Sequence, residues 1–208
     1  MNTAEGLGVE AVHVWRGERH VLKGVTLAIR PREALHVSGR NGSGKTTLLK
    51  VACGLLRPEQ GHVTWLGRSI SDVRSEYQHA LAYASHEPAL KADLTALENL
   101  RFMVGLKYRS NGAELIGCLE RTGVARCADL PVRVLSAGQR RRVAMARVLG
   151  MRAPLWLLDE PFTNLDAGGS EIFAALIAEH VSGGGMAVVV AHHELVLPTA
   201  ARRLELPG

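Results

Sequence analysis

The octapeptide Gly39-Arg40-Asn41-Gly42-Ser43-Gly44-Lys45-Thr46 constrains what this chain can fold into more than any other segment. It matches G-x-x-x-x-G-K-[ST]. It follows the apolar stretch Ala34–Ser38 and leads into Leu48, Val51, Ala52 and Leu55, spaced i, i+3, i+4, i+7. Strand, glycine loop and helix in that order is the context in which the pattern builds a phosphate cradle. Glycines let backbone N–H groups converge on phosphate oxygens with no side chain in the way. The start of the following helix adds partial positive charge. Lys45 is expected to reach the β- and γ-phosphates and the Thr46 hydroxyl to ligate Mg²⁺, with Thr47 beside them in the nucleotide-contacting set.

The remaining chain supplies a sheet for that strand. β-branched or alternating stretches occur at Val9–Val14, Val25–Ile29 and His62–Leu66, and apolar ones at Leu81–Ala84, Leu155–Leu158 and Met186–Ala191. In the second half they alternate with helical spacing, which predicts a largely parallel sheet flanked by helices. The first 35 or so residues, with a turn at Arg16–Arg19, predict an antiparallel layer. Residues 88–150 lack a good strand, carry Leu97, Leu100 and Val104 at helical spacing, and are expected to form a helical lobe. The 208 residues suit one domain. No apolar run approaches the roughly 18 residues needed to span a bilayer, and Met1–Val9 is not expected to act as a signal peptide. Aromatic residues at 4% argue against a base-stacking nucleic-acid module. Cys53, Cys118 and Cys127 are dispersed, which argues for reduced thiols rather than a disulfide framework or a zinc site.

Leu155–Leu158 ends in Asp159-Glu160-Pro161. Alone, this reads equally well as a buried strand ending at a solvated turn. Beside a phosphate loop it gains a purpose, because such a site needs a carboxylate at a neighbouring strand end to hold Mg²⁺. Asp159 suits that role. Glu160 points elsewhere and suits the polarisation of an attacking water.

Leu135-Ser136-Ala137-Gly138-Gln139 differs by one residue from LSGGQ and opens a helix running to Leu149. With the phosphate loop and the acidic strand end, it makes the chain resemble the ATP-binding cassette ATPases. The resemblance implies an α/β P-loop NTPase fold: a RecA-like parallel-sheet core, an antiparallel β layer and a helical subdomain at about residues 88–150. It also implies ATP and Mg²⁺ as ligands and a homodimer with two ATP molecules at its seam. Ser136 and Gly138 would then bind the γ-phosphate held on the other subunit, and Asn164-Leu165-Asp166 would cross the seam. His192 falls at the switch histidine, catalytic with Lys45 and Glu160, whereas His193 reads as a surface residue. Trp15 lies where an aromatic ring stacks on adenine, though a partly buried core tryptophan explains it as well. Arg140-Arg141-Arg142 reads as a solvated helix face, and no nucleic-acid partner is expected.

The resemblance narrows at several positions. His86 stands where many transporters of the family carry a glutamine, in the loop that couples ATP to the membrane subunit, and its ring can still offer a nitrogen to Mg²⁺ or water. His86-Glu87-Pro88, Leu94–Leu100, the alanine in the signature and Asp159–Thr163 together resemble the ATP-binding subunits of haem-exporting cytochrome c maturation systems. That implies integral membrane partner subunits, a peripheral position on the cytoplasmic face of a bacterial inner membrane, and haem export or release of a haem-loaded chaperone. No CxxCH or other haem-ligating pattern is present. The ATPase of another small exporter, or a soluble cassette scaffold as in iron–sulfur cluster assembly, remain alternatives.

Overall fold

The structure, a computed structural model, describes residues 5–191 and 201–207. Two sheets form the body. The antiparallel sheet has the order β2-β1-β4-β5, from β1 (Leu7–Arg16), β2 (Arg19–Ile29), β4 (Gln60–Trp65) and β5 (Arg68–Ser69). The parallel sheet has the order β6-β7-β8-β3-β9, from β3 (Ala34–Ser38), β6 (Leu81–Ala84), β7 (Leu155–Asp159), β8 (Met186–Val190) and β9 (Ala201–Glu205). Every residue of β7 and β8 is buried, which is why both read as unbroken apolar runs.

Alternation along the parallel strands sorts the core into two layers. Leu35, Val37, Leu155, Leu157, Val188 and Val190 face the antiparallel sheet and helix α1 (Lys45–Ala52). Ala34, Trp156, Leu158, Ala187 and Val189 face the other way. They meet Met145 and Val148 of α5 (Ala137–Gly150) and Phe173 and Ile177 of α6 (Ala167–Ser182). The helical lobe has its own core, built by α3 (Ala96–Gly105), α4 (Gly112–Arg121) and the inner side of α5. Helix α5 thus packs on two sides, through Val143 and Ala146 to the lobe and Met145 and Val148 to the sheet. Among the described residues no helix is long and apolar enough to cross a membrane.

The structure corrects several boundaries. Helix α1 ends at Ala52, and Gly54 at φ 71° turns the chain away, so Leu55 stands 67% exposed rather than completing the apolar stripe. Leu66 lies in a turn at φ 51°, outside β4. Helix α2 (Arg74–Ala80) and strand β9 add elements that apolar spacing does not announce. The stretch Leu94–Leu100 proves to be architecture. Thr95 caps α3 in a reciprocal box with Glu98, and buried Asn99 ties down the preceding loop through Lys91, Leu94 and Thr95.

Candidate functional site

Val37, Val190 and Asp159 lie in one row across neighbouring strands, so β3, β8 and β7 end along the same sheet edge. A crevice at the carboxyl ends of parallel strands is where such sheets bind ligands. The phosphate loop leaves β3 there. A Cβ at Gly39 (φ 143°) would stand 2.7 Å from both the Leu206 carbonyl and Ser43 Oγ, and one at Gly44 (φ 98°) 2.8 Å from Leu22. Both positions therefore require glycine for space as well as for backbone angle. Gly44 is also the N-cap of α1, so no side chain caps that helix, and no acid occupies its first turn. Its leading N–H groups and dipole are left to an anion. Lys45 is buried and donates to the carbonyls of Gly39 (2.8 Å) and Arg40 (3.0 Å). From the side, Arg19 donates to the Gly42 carbonyl at 2.8 Å. Asn41 and Thr46 are exposed and Thr47 half-buried.

Asp159 is completely buried at the end of β7. Burial pushes its carboxyl above the ordinary range, and the charge of Glu160 adds to this. Thr46, His86 and Arg141 favour the ionised form. The Thr46 hydroxyl is close enough to matter electrostatically, yet neither carboxylate oxygen has a well-formed hydrogen bond to the described residues. A buried carboxylate without a donor carries a heavy desolvation cost that a bound cation offsets. With the Thr46 hydroxyl it forms the hard oxygen set that Mg²⁺ prefers. Among the described residues no cluster of three or more His, Cys, Asp or Glu offers another metal site.

Glu160 leaves the strand in a left-handed conformation, φ 50°, held by its N–H on the Val190 carbonyl at 2.9 Å. That turn separates its carboxylate from that of Asp159. Thr163 Oγ1 donates to Glu160 Oε2 at 3.3 Å, and His86 Nδ1 lies 3.3 Å from the same oxygen. Arg141, only 3% exposed, donates to the carbonyls of Ser85 (2.9 Å) and His86. Arg147 holds the same segment through the Tyr83 and Ala89 carbonyls. The arginine run is therefore not a solvated face. Arg140 donates to the Leu135 carbonyl, Arg141 is buried, and Arg142 pairs with Asp166 at 2.7 Å. Burial disfavours the Arg141 charge, while Asp159 and Glu160 favour it.

Ser136 caps α5 in a reciprocal box with Gln139. Its oxygen accepts from the Gln139 N–H, which leaves its own proton to donate. A Cβ at Gly138 would meet the Asn164 carbonyl at 2.7 Å, so the signature helix and the 164–166 turn touch only because this position is glycine. Asp166 caps α6 through the Gly169 N–H at 3.0 Å. Trp15 is half-buried and stacks on His20 at 3.9 Å, with His13 5.7 Å away. His13 and His20 sit 3.0 Å apart, nitrogen to nitrogen, so both lie over one face of the indole. His192 and His193 lie outside the described residues.

Two contributors escape sequence reading. Thr163 sits one turn from Glu160, and no local pattern marks its bond. Arg141 looks like its neighbours and is set apart only by the packing of α5.

The profile of the ABC transporter family matches residues 22–163. The chain is 46% identical over 200 residues to the cytochrome c biogenesis ATP-binding export protein CcmA of Nitrosococcus oceani, covering 96% of this chain and 91% of that protein. It is 42% identical to the protein of the same name from Methylococcus capsulatus, over 96% and 97% of the two chains. The Escherichia coli K12 protein of that name is 41% identical, over 92% and 91%. Among solved structures, the dimeric cassette MJ0796, a bacterial ABC transporter cassette, superposes with a TM-score of 0.88 at 28% identity, over 97% and 94% of the two chains. A dimeric post-hydrolysis state of that cassette, bound to ADP and Pi, gives 0.86 at 28% identity, over 96% and 94%.

Proposed function

The chain belongs to the ABC transporter family, and from that premise we propose that it is the ATP-hydrolysing subunit of a cytochrome c biogenesis exporter, working as a homodimer against integral membrane subunits. The reading places it peripherally on the cytoplasmic face of a bacterial inner membrane, with haem export or release of a haem-loaded chaperone as the driven process. The name shared by the curated relatives supports this assignment.

The observation that carries the chemistry is the buried carboxylate of Asp159, which has no well-formed hydrogen bond among the described residues and lies beside Thr46 at the same sheet edge as the phosphate loop. ATP phosphates enter the loop, and Lys45 exchanges the carbonyls of Gly39 and Arg40 for phosphate oxygens, which are stronger acceptors. The loop from Gly39 through Thr46, with Thr47, lines the triphosphate. Thr46 and Asp159 would hold Mg²⁺, and His86 stands near enough to contribute through water. A Mg²⁺ ion held by these residues would offset negative charge on the phosphate oxygens. Glu160 accepts a proton from the attacking water. Ser136 donates its free proton to the γ-phosphate held by the other protomer, aided by the start of α5 and the close approach at Gly138. Asp166 keeps the 164–166 turn at the seam, and His192 contacts the γ-phosphate. Trp15 would stack on adenine, with His20 stacked against its indole.

Calorimetric titration of Asp159→Asn with ATP tests the central point. Wild-type affinity should rise with Mg²⁺, whereas the variant should bind ATP about equally with and without it. An Asp159→Asn protein that kept the full Mg²⁺ enhancement would overturn the metal assignment.

A further inference from the structure

The segment carrying His86 is held in an unusual way. It is a loop after β6, yet two buried arginines of α5 grip it through backbone carbonyls alone. Arg141 takes Ser85 and His86, and Arg147 takes Ala89 in the loop and Tyr83 near the end of β6. A buried guanidinium costs desolvation, and hydrogen bonds to neutral carbonyls offset only part of it. The Nε atoms of both arginines lack partners among the described residues. Such an arrangement fixes position at the expense of stability. What it fixes is the His86 ring, whose Nδ1 lies 3.3 Å from Glu160 Oε2. The pair is partly exposed, with the His86 side chain at 52%, and exposed pairs of this kind add little to folding stability.

We infer that His86 is a positioning residue for Glu160, and that Arg141 ties the orientation of that carboxylate to the helix bearing Ser136. The inference rests on the reading of Glu160 as the water-activating group. The chain of contacts is continuous: Ser136 caps α5, Arg141 on the next turn holds the His86 carbonyl, and the His86 ring faces Glu160 Oε2. Thr163 reaches the same oxygen from Glu160's own turn, so at least two segments approach the carboxylate. A shift of α5 carries His86 with it and moves its contact with the carboxylate. Glu160 then takes its working geometry only when the signature helix is in place, which matches hydrolysis to seam closure. This assigns His86 a task beyond any water-mediated contact with Mg²⁺: it sets turnover through the Glu160 carboxylate.

The test is steady-state hydrolysis by His86→Ala, His86→Asn and Arg141→Lys as full-length proteins in their complex, with ATP and Mg²⁺ varied separately. A single misplaced group can lower turnover by about 10²-fold. His86→Ala should lower kcat by about 10- to 100-fold while KM for ATP and the Mg²⁺ concentration for half-maximal rate stay within about threefold. His86→Asn, which returns an N–H donor near the Nδ1 position, should recover most of the rate. Arg141→Lys, a point donor that cannot span two carbonyls, should reproduce part of the kcat loss. Three results would overturn the inference: unchanged kcat in His86→Ala, no recovery in His86→Asn, or a loss that extra Mg²⁺ repairs, since the last marks a metal ligand. Because Arg141 is buried, a poorly folded Arg141→Lys leaves the two His86 variants to decide. Failure of the underlying reading is separate: Glu160→Gln hydrolysing at the wild-type rate would remove the group that His86 is said to orient, whatever His86→Ala does.

Discussion

The phosphate loop and the acidic corner at the end of β7 share one sheet edge, yet they satisfy their polar groups in opposite ways. The loop is one continuous segment that holds its own ammonium group, while Ser43 Oγ is buried without a partner among the described residues and the first N–H groups of α1 stay open to an anion. Its glycines provide the backbone angles, and the Lys45 ammonium rests on the loop's own carbonyls. The acidic corner is assembled from distant parts. Asp159 has no donor among the described residues, and Glu160 is approached by Thr163 from its own turn and by His86 from a loop that α5 holds. The loop is therefore a preformed anion receptor. The corner is a set of charges whose geometry depends on where other elements stand. On the proposed function, binding belongs mainly to the first and turnover mainly to the second.

Substitutions can break that division. Lys45→Ala should have the largest effect on binding, a loss of about 100-fold or more in ATP affinity by calorimetry, since a charge-assisted phosphate contact is removed from a buried site. Unchanged affinity would sink the receptor account. Gly138→Val comes next. Its Cβ would stand 2.7 Å from the Asn164 carbonyl, so the start of α5 must move off the 164–166 turn. Overpacking of this kind costs about 1–3 kcal/mol in thermal unfolding and should cut hydrolysis well before it affects nucleotide affinity.

Asp159→Asn sharpens the comparison on stability. Burial raises the folded-state pKa of Asp159 above its unfolded value, so the folded chain holds the proton more tightly. Its contribution to stability is therefore present at low pH and is lost as pH rises above about 4. Without nucleotide, Asp159→Asn should melt above wild type near pH 7, and the gap should close towards pH 4. A gap that did not narrow with falling pH would refute the buried-charge account. The smallest effect is expected from Asp166→Ala, which loses the cap of α6 and the Arg142 pair. Thermal denaturation should show a drop on the order of a few degrees, with ATP affinity unchanged.

The difference between the regions also explains what could be read from residues alone. The phosphate loop, Asp159 after its apolar strand and the capped start of α5 are local patterns, and the structure brings the first two to one sheet edge. The contacts that build the acidic corner are tertiary. Arg141 and Arg142 are adjacent in a basic run, yet a helix turns successive residues by about 100°, so one enters the interior and the other meets Asp166. That run reads as solvated because a charged residue is seldom buried, a prior that a wedged helix such as α5 overrides. Strand β9 escaped notice because Arg202 and Arg203 break its apolar signal, which an edge strand tolerates. Leu55 continued a periodic stripe past the glycine that ends its helix.

The central claim is that the acidic corner performs turnover while the loop performs binding, and Glu160→Gln tests it most directly. Hydrolysis should be followed together with bound nucleotide and oligomeric state by size-exclusion chromatography in ATP and Mg²⁺. The account predicts turnover reduced by about 10²-fold or more, as removal of a general base does, with ATP retained and a dimer accumulating. Hydrolysis at the wild-type rate, or loss of ATP binding along with turnover, would contradict it.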